Sequence, residues 1–374
     1  MKLKKYKKPK LTYKKSGVDY SKIDPLKVLA QKTAKKTAGN LLPLGYREVE
    51  ESRGESAYVV DVGNFYIASI TECLGTKALV ADEVRKITGK TYYDAIAQDT
   101  IAMAVNDIIT VGAQPVSVHA YWASGDSNWF EDEKRTKDLV KGWEKACKLS
   151  GVSWGGGETP VLKGVVKSKV IDLAASCVGV IKPKKRLLLG NKLKAGDAIV
   201  VFESSGIHAN GLSLARKIVK RLAKGYATKM DNGKTYGEGL LAPTLIYVQI
   251  IKSLLDKKIK INYISNITGH GWRKIMRHPK NFIYRITKIP PVPEVLKFMM
   301  EKGPISQKEA YGSLNMGAGL AIFVSEKDVK QVISVSKKLK IKAYVVGKVE
   351  KGSKKVVIEP LNIVYKGKEL KLRS

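Results

Sequence analysis

The segment AMAVNDIITVGAQP, residues 102–115, is apolar along most of its length but carries Asn106 and Asp107 at its centre. Its length and the glycine turn that ends it predict a buried helix. At about 100° per residue, Asp99 and Asn106 nearly eclipse one another and Asp107 lies about 80° from Asp99, so the three share one edge. A buried carboxylate is costly unless it is paired or binds a cation. Two interpretations stay open: a metal or phosphate site, or a cap or lysine partner for a neighbouring element.

Apolar strand patterns and amphipathic helix patterns alternate on both sides of this segment. AYVVDV and FYIASI predict paired strands before it, and VIDLAASCVGVI predicts a buried strand after it. The lysine-rich KPKKR that follows marks a domain boundary near residue 182. The second half continues from the strand DAIVVFES to the helix KDVKQVISVSKKL. The fold class is therefore predicted as α/β, or mixed α+β, in two domains.

The composition of the 374-residue chain argues against several classes of protein. Its three scattered cysteines are too few for a disulfide framework and favour a reducing compartment, so a cytoplasmic location is predicted. No run approaches the roughly 20 apolar residues of a membrane span, so no membrane partner is predicted. The net charge of +34 comes mostly from lysines spread over the whole chain, which favours a generally basic surface over a nucleic-acid-binding face.

Two glycine-bearing segments of the first half suit a bound nucleotide. TECLGTK places Lys77 at a glycine turn that begins a helix, where helix-terminal amides and a cation bind phosphate. GGGETP places Glu158 after three glycines, which let a backbone approach a ligand closely, although this pattern alone is more typical of an ordinary tight loop. Two GKT fragments are not P-loops, because Val84 and Thr228 replace the required first glycine.

Two turns of the second half, SGIHANG and NITGHGWRK, carry His208 and His270 before basic helices. Such turns suit anions, but simple turn chemistry explains them equally well. The four histidines of the chain share no metal-ligand spacing, so a zinc site is not predicted.

Taken in chain order, these segments resemble one family, phosphoribosylformylglycinamidine cyclo-ligase, also called aminoimidazole ribonucleotide synthetase. The resemblance rests on YKKSGVDY, LGTK, AMAVNDIITVGAQP, YWASG, GGGETP, CVGVI, SGIHANGLSLARKI, LLAPTLIYV, NITGHG and LNMGAGLAIFV. It implies a basic extension over residues 1–12, an N-terminal ATP-binding and dimerisation domain over 13–182 and a C-terminal substrate-side domain over 183–374. It also implies a homodimer whose N-terminal sheets pair.

The resemblance further implies ATP-dependent ring closure of formylglycinamidine ribonucleotide to aminoimidazole ribonucleotide in purine biosynthesis. Phosphorylating the formyl oxygen converts a poor leaving group into phosphate, which leaves when the amidine-side nitrogen attacks the same carbon. This chemistry needs carboxylates to hold Mg²⁺ and cations to neutralise the transferred phosphoryl group. The expected cofactors are therefore ATP and Mg²⁺, and the expected partner is a small ribonucleotide.

The matching motifs assign these roles to particular residues. The predicted magnesium ligands are Glu72, Asp99, Asp107 and Glu158. The predicted nucleotide contacts are Gly75, Thr76, Lys77, Asp99, Asn106, Gly156, Gly157 and Thr159, and the predicted catalytic residues are Lys77, Asn106 and Asp107. The predicted substrate contacts are His208, Asn210, Gly211, Thr268, Gly269, His270 and Gly271.

The chain departs from the family pattern in the loops that are expected to meet ligands. The family's TDGVGTK is TECLGTK here, so Glu72 and Cys73 stand where aspartate and glycine are usual. Ala120 stands where an acid is usual, and Asn266 and His270 stand where histidine and glycine are usual. These departures leave open a paralogue that acts on another substrate and, from a different class, a basic RNA-associated protein on the same scaffold.

Overall fold

The computed structural model describes residues 11–372, and its first sheet has six strands in the order β1-β2-β3-β6-β4-β5. The strands are β1 (Arg47–Glu48), β2 (Tyr58–Asp61), β3 (Tyr66–Cys73), β4 (Gln114–Ser124), β5 (Ser153–Glu158) and β6 (Ile171–Ile181). The helices of this half are α1 (Tyr20–Lys35), α2 (Lys77–Thr88), α3 (Tyr93–Ile108) and α4 (Glu133–Ser150).

The second sheet has seven strands in the order β13-β12-β9-β11-β7-β10-β8. The strands are β7 (Ala198–Glu203), β8 (Ile261–Asn266), β9 (Phe282–Ile286), β10 (Ala318–Val324), β11 (Ala343–Lys351), β12 (Lys355–Ile358) and β13 (Ile363–Lys366). Its helices are α5 (Leu212–Val219), α6 (Tyr236–Leu240), α7 (Val248–Asp256), α8 (Glu294–Lys302), α9 (Gln307–Ser313) and α10 (Val329–Lys338). Antiparallel pairs dominate both sheets, which confirms the predicted fold class in its α+β form.

Strand β6 shows why the first sheet has one covered and one open face. From Ile171 to Ile181 every second residue is buried, whereas the residues between them, such as Val178, are partly or well exposed. This period of two is the pattern of a sheet with one face on the core. Helix α3 packs on the covered face against β3 and β6. The central strand β10 differs, because every residue from Ala318 to Val324 is buried.

Helix α3 contains the segment AMAVNDI and is the buried helix that the sequence predicts. Every residue from Asp99 to Ile108 is buried, between the first sheet and the second half of the chain. The helix continues as a 3₁₀ turn to Val111 and ends at Gly112, whose φ is +82°. A Cβ on Gly112 would lie 2.0 Å from the carbonyl oxygen of Arg186, so only glycine fits at this close approach.

Two sequence predictions of local structure are wrong. GGGETP, predicted as a loop, includes the end of strand β5, which pairs in parallel with β4. The sequence PLKVLAQKTAKKTAGNLL, residues 25–42, predicts one helix over its whole length. The helix instead runs from Tyr20 to Lys35, with Asp19 as its N-cap, and a separate 3₁₀ turn follows at Ala38–Leu44. The Asp19 side chain accepts a hydrogen bond from the backbone of Ser21, which is the usual reason a helix begins there.

The N-terminal segment lies on the second half of the chain. The Leu11 amide donates to the Pro304 carbonyl at 3.0 Å, and the Tyr13 amide donates to the Glu309 carboxylate at 2.8 Å. Most of the predicted basic extension, residues 1–10, lies outside the described residues. Within residues 11–372, every helix is too short or too polar to cross a lipid bilayer.

Candidate active site

A cleft of about 460 Å³ opens where α1, the first sheet and the second half of the chain meet. Glu72 and Asp107 line it from one side. Glu72 is the last residue but one of β3, and Asp107 is the last residue but one of α3. Thr268, Gly269 and the 3₁₀ helix Gly271–Met276 line it from the other side. Its size is in the range of clefts that bury a small ligand.

Glu72 and Asp107 line this cleft together, close enough for the charge of Asp107 to act on the Glu72 carboxyl. Burial, followed by the negative charge of Asp107, raises the pKa of the Glu72 carboxyl to about 8. Asn266 fixes the pair by donating its amide to Asp107 Oδ1 at 2.7 Å. Like charges held together in this way are relieved by a bound cation, so the pair brings together two of the four predicted magnesium ligands.

A complete metal site is not formed by side chains alone. Within residues 11–372 no group of three or more His, Cys, Asp or Glu side chains could hold a metal ion. Mg²⁺, however, is usually bound through one or two carboxylates with water and substrate phosphates supplying the other ligands. Glu72 and Asp107 therefore fit a magnesium ion that arrives with a nucleotide.

Two buried cations, Lys274 and Arg277, line the same cleft. Arg277 is engaged, since it donates to the Gly54 carbonyl at 2.8 Å and to Ser56 Oγ at 2.9 Å and lies 3.5 Å from the Glu55 carboxylate. Burial, followed by the positive charge of Arg277, lowers the pKa of the Lys274 ammonium to about 8. The cleft thus contains both the acidic and the basic groups that a phosphate and its metal ion require.

Lys77 and Asp99, predicted to bind phosphate and magnesium, are instead joined to each other. Their side chains are completely buried, and Lys77 Nζ lies 2.7 Å from Asp99 Oδ2. Lys77 also donates to the Ala242 carbonyl at 2.8 Å, and Asp99 accepts from both the amide and the hydroxyl of Thr244. The pair therefore holds residues 242–244 to the first domain and presents no open face to a ligand.

Asn106 is occupied in the same way. Its amide nitrogen donates to the Leu245 carbonyl at 2.7 Å, and its amide oxygen accepts from the Tyr247 backbone at 2.9 Å. The predicted contact with phosphate or metal-bound water is therefore not supported. Of the three polar residues on the edge of α3, Asp99 and Asn106 fasten the second domain, and Asp107 alone lines the cleft.

The predicted nucleotide contacts before α2 and on β5 lie apart from the carboxylate pair. Gly75, with φ of +73°, and Thr76 form the turn into α2 and do not line the cleft. Gly157 lies in register with Glu72 across β6 and β4. Three strand spacings separate them by about 14 Å. The exposed edge group Gly156, Gly157, Glu158 and Thr159 is therefore not brought to Asp107 within the chain.

The turn SGIHANG contributes one residue to the cleft. Asn210 lines it, whereas His208 is buried with φ of +59°, and its Nε2 accepts from the Ser205 amide at 3.2 Å. Burial lowers the pKa of the His208 imidazole to about 3, so the ring is neutral. Gly211, with φ of +97°, donates its amide to the Tyr13 hydroxyl at 3.3 Å. His208 and Gly211 therefore shape the turn.

The turn NITGHG forms one wall of the cleft through Thr268, Gly269 and His270. The His270 ring stacks on Tyr20 of α1 with centroids 3.7 Å apart, and its Nε2 lies 3.2 Å from Asp24 Oδ2. Burial, opposed by the hydrogen bond that Asp24 accepts from the ring, lowers the pKa of His270 to about 4. Gly271 has φ of +52° and packs against backbone, which assigns it to the turn.

Several residues of the cleft have no assigned role in the sequence predictions. Lys274 and Arg277 lie only a few positions beyond the glycine turn, in the basic segment GWRKIMR, and Tyr20 comes from the distant helix α1. The basic residues after an anion-binding turn are the one signal that the sequence offers. No local sequence signal shows that α1 lines the cleft, because this depends on how the N-terminal segment packs on the second half of the chain.

Comparison with known sequences gives matches over most of the chain. The N-terminal domain model of AIR synthase related proteins matches residues 54–181, and the C-terminal domain model matches residues 194–359. A phosphoribosylformylglycinamidine cyclo-ligase of Methanococcus maripaludis is 34% identical over 342 residues, covering 91% of this chain and 92% of that protein. Another, from Carboxydothermus hydrogenoformans, is 34% identical and covers 93% of this chain and 98% of its own.

Comparison with solved structures supports the fold. AaThiL complexed with AMPPCP and TMP superposes with a TM-score of 0.59 at 15% identity and covers 96% of this chain and 98% of that chain. T. maritima PurL complexed with ATP gives a TM-score of 0.55 at 13% identity, over 84% of this chain and 46% of that chain. With both domain models matched in order and relatives similar over nine-tenths of their length, the chain belongs to the phosphoribosylformylglycinamidine cyclo-ligase family.

Proposed function

We propose that the protein closes the ring of formylglycinamidine ribonucleotide to give aminoimidazole ribonucleotide, a carbon–nitrogen bond-forming step of purine biosynthesis that consumes ATP. Family membership supplies the reaction. The observation that carries the proposal is the open pair of Glu72 and Asp107, which lines a ligand-sized cleft opposite the turn of Thr268 and Gly269. ATP binding is supported by fold relatives whose structures contain ATP or AMPPCP.

The proposed chemistry has two balanced steps. The formyl oxygen attacks the terminal phosphorus of ATP while the formamide nitrogen releases its proton to water, so an oxygen–phosphorus bond forms and the bond to the ADP oxygen breaks. The amidine-side nitrogen then attacks the formyl carbon and loses its proton, while the carbon–oxygen bond breaks and phosphate departs. Residues of the cleft act by positioning and by balancing charge, since phosphoryl transfer requires little covalent chemistry from the protein.

Glu72 and Asp107 are the residues we assign to Mg²⁺, which when bound supplies positive charge to the phosphate oxygens. Asn266 holds Asp107 in place from the other domain. Glu158, Gly156, Gly157 and Thr159 stay predictions for the nucleotide site, as do Gly75 and Thr76. Lys77, Asp99 and Asn106 are assigned to the packing of the two domains.

The substrate side of the cleft is assigned to Asn210, Thr268, Gly269 and His270. Tyr20 and Asn210 lie so close to Gly269 that a residue with a side chain would not fit there without a shift. His270 is held neutral by burial and presents an imidazole where the family has a glycine. This replacement favours, as a second candidate, a relative of the cyclo-ligase that acts on another substrate in the same cleft.

A homodimer formed through the open face of the first sheet is part of the proposal. Ser69, Thr71 and Cys73 of β3 are exposed on this face, and Val178 of β6 is 37% exposed beside them. An uncovered sheet face of this kind suits a second sheet packed on it. Sedimentation equilibrium should give twice the chain mass of 41.2 kDa, and a single monomeric species would contradict this part. The cytoplasm is the proposed location.

The reaction is tested with purified protein, formylglycinamidine ribonucleotide, ATP and Mg²⁺, following ADP release and the imidazole product by mass. Ring closure that requires ATP and stops when EDTA removes Mg²⁺ is expected. ATP binding without ring closure would contradict the substrate and favour the second candidate. Retention on RNA at low salt, with neither ATP binding nor ring closure, would instead support a nucleic-acid-associated protein.

A further inference from the structure

Lys274 is held rigidly at its backbone while its ammonium group ends in the cleft. It lies on the 3₁₀ helix Gly271–Met276 and is 7% exposed. Its carbonyl accepts from Ser265 Oγ at 2.7 Å. The neighbouring Trp272 donates its indole N–H to the Asn315 carbonyl at 2.8 Å, and Arg273 donates to the Gly312 carbonyl at 2.8 Å. The position of Lys274 is therefore set by the second domain rather than by a partner of its side chain.

The Lys274 ammonium has three donors, and none of them meets an acceptor among the described residues. Among residues 11–372, no carboxylate oxygen lies within 4.0 Å of its Nζ, and Nζ donates no hydrogen bond. Asp107 and Glu72 line the same cleft and act on it through their charges. Removing an ammonium from water without a partner costs several kcal/mol, so a buried and unpartnered lysine is suited to a ligand that brings its own negative charge.

The other cations near the cleft are already engaged. Arg277 is bound to two backbone or hydroxyl oxygens and to Glu55. Lys27 is half exposed and pairs with Asp24 at 3.7 Å. Lys77, the lysine of the glycine turn, is fully used by Asp99 and Ala242. Within the part of the chain that the structure describes, Lys274 is thus the cation most available to a ligand bound in the cleft, which Glu72 and Asp107 line on one side and the turn of Thr268 and Gly269 on the other.

We propose that Lys274 contacts the terminal phosphoryl group of ATP, in the cleft that Glu72 and Asp107 also line. The assignment rests on the proposed function and adds a residue to it. Negative charge spreads over the phosphoryl oxygens during transfer, and a fixed ammonium with three free donors stabilises that charge without rearrangement. Lys274 then performs the role that sequence alone assigns to Lys77.

The first test separates ATP from ADP. Equilibrium binding of AMPPCP and of ADP, each with Mg²⁺, is measured for the full chain, for Lys274→Met and for Lys337→Met, an exposed lysine on α10. Loss of the contact should weaken AMPPCP binding by about tenfold, the equivalent of one charge-assisted hydrogen bond, and ADP binding less than about twofold. Equal weakening for both nucleotides, or none, would overturn the assignment whichever substrate the enzyme uses.

The second test follows turnover. In Lys274→Met, kcat should fall by on the order of 10², as when a preorganised donor is removed from a transition state, with a smaller change in KM for the ribonucleotide. Lys274→Arg should recover part of the rate. Lys274→Ala should be rescued in a saturable way by added methylammonium, which a merely structural role would not permit. Unchanged turnover in Lys274→Met would refute the proposal.

Controls distinguish a failure of the proposed reaction from a failure of the assignment of Lys274. The wild-type rate is measured first, because absence of ring closure contradicts the proposed function while the nucleotide-binding comparison still tests Lys274. Circular dichroism and thermal unfolding are measured for each variant. If Lys274→Met does not fold, Lys274→Gln, which keeps a polar hydrogen-bonding group, replaces it, and a Lys274→Gln protein with normal preference for AMPPCP over ADP would overturn the assignment.

Discussion

Two buried lysine–carboxylate groups, each with one carboxylate on α3, differ in whether the protein satisfies their charges. Lys77 and Asp99 are completely buried, lie in contact, and are completed by Thr244 and the Ala242 carbonyl. Lys274 faces Glu72 and Asp107 across an open cleft without an ion pair to either. The first group is a closed connection between domains. In the second group, the Lys274 ammonium has no ion-pair partner among the described residues and can contact a ligand.

This difference shows why residue type and glycine-turn context are insufficient to locate an active site. A buried ion pair with all its partners is costly to break but contributes little to ligand binding. Like charges left facing one another destabilise the empty protein and are retained for binding or catalysis. The two groups therefore differ in whether the protein supplies partners for their charged side chains, and this difference predicts a different response to mutation for each group.

The largest expected effect is on turnover, from breaking the open group. Asp107→Asn keeps the volume and still accepts the hydrogen bond from Asn266 but removes the charge that Mg²⁺ requires. Ring closure should slow by about 10³-fold or more, with the free energy of unfolding changed by less than about 1 kcal/mol. Steady-state kinetics and urea unfolding check this. Asp94→Asn, on an exposed face of the same helix, is the matched control, and retained magnesium-dependent turnover in Asp107→Asn would remove Asp107 from the site.

The next effect is on stability, from breaking the closed group. Lys77→Met leaves Asp99 buried without its cation, which should lower the free energy of unfolding by about 3–5 kcal/mol. The double variant Lys77→Met with Asp99→Leu removes both charges and should recover most of that loss. Urea denaturation measures both proteins. A Lys77→Met protein with normal stability but no phosphoryl transfer would return Lys77 to the nucleotide site.

The third prediction concerns pH. Burial holds the folded-state pKa of His208 at about 3, below its unfolded value of 6.5, so the native state binds fewer protons and its stability falls as pH drops below 6.5. The loss should reach about 1.4 kcal/mol for each pH unit from this residue. His208→Asn, which tolerates the φ of +59°, should flatten unfolding free energies measured between pH 6.5 and 5. An unchanged slope would show that His208 is protonated without cost.

The smallest expected effect tests the wall of the cleft formed by α1. His270→Gly restores the family's residue and removes the stacking on Tyr20 and the contact with Asp24. An aromatic pair of this kind contributes about 1 kcal/mol, so amide hydrogen exchange in residues 20–35 should accelerate roughly fivefold. Exchange in α3 serves as the internal control. Equal exchange of α1 in both proteins would mean that other contacts hold this helix.

The fold is predictable from sequence because its signals are local and repeated. Alternation in VIDLAASCVGVI specifies a strand with one buried face, and the apolar run around Asn106 specifies a buried helix that stops at Gly112. The chain from residue 153 is the exception. Three glycines resemble a loop, and pairing with β4, a non-local contact, makes the segment a strand.

The candidate site is less predictable because its members come from separate places. Glu72, Asp107 and the turn at Thr268 are found through family motifs, but motifs do not show which polar groups are already satisfied. Asn106 and Asp107 are adjacent in sequence, yet one binds the backbone of residues 245–247 and the other faces the cleft. The polar edge of α3 thus has two parts, one that fastens the second domain and one that lines the cleft.

The docking of the N-terminal segment affects the order in which the molecule can be completed during synthesis. The bond between Tyr13 and Glu309 spans 296 positions, and at about 5–20 residues per second a ribosome needs roughly 15–60 s to make the intervening chain. Tyr20, only a few residues beyond Tyr13, supplies the ring beneath His270. The segment that contains Tyr13 and Tyr20 can therefore find its place only after His270 and Glu309 have been synthesised, so the wall of the cleft formed by α1 is added late.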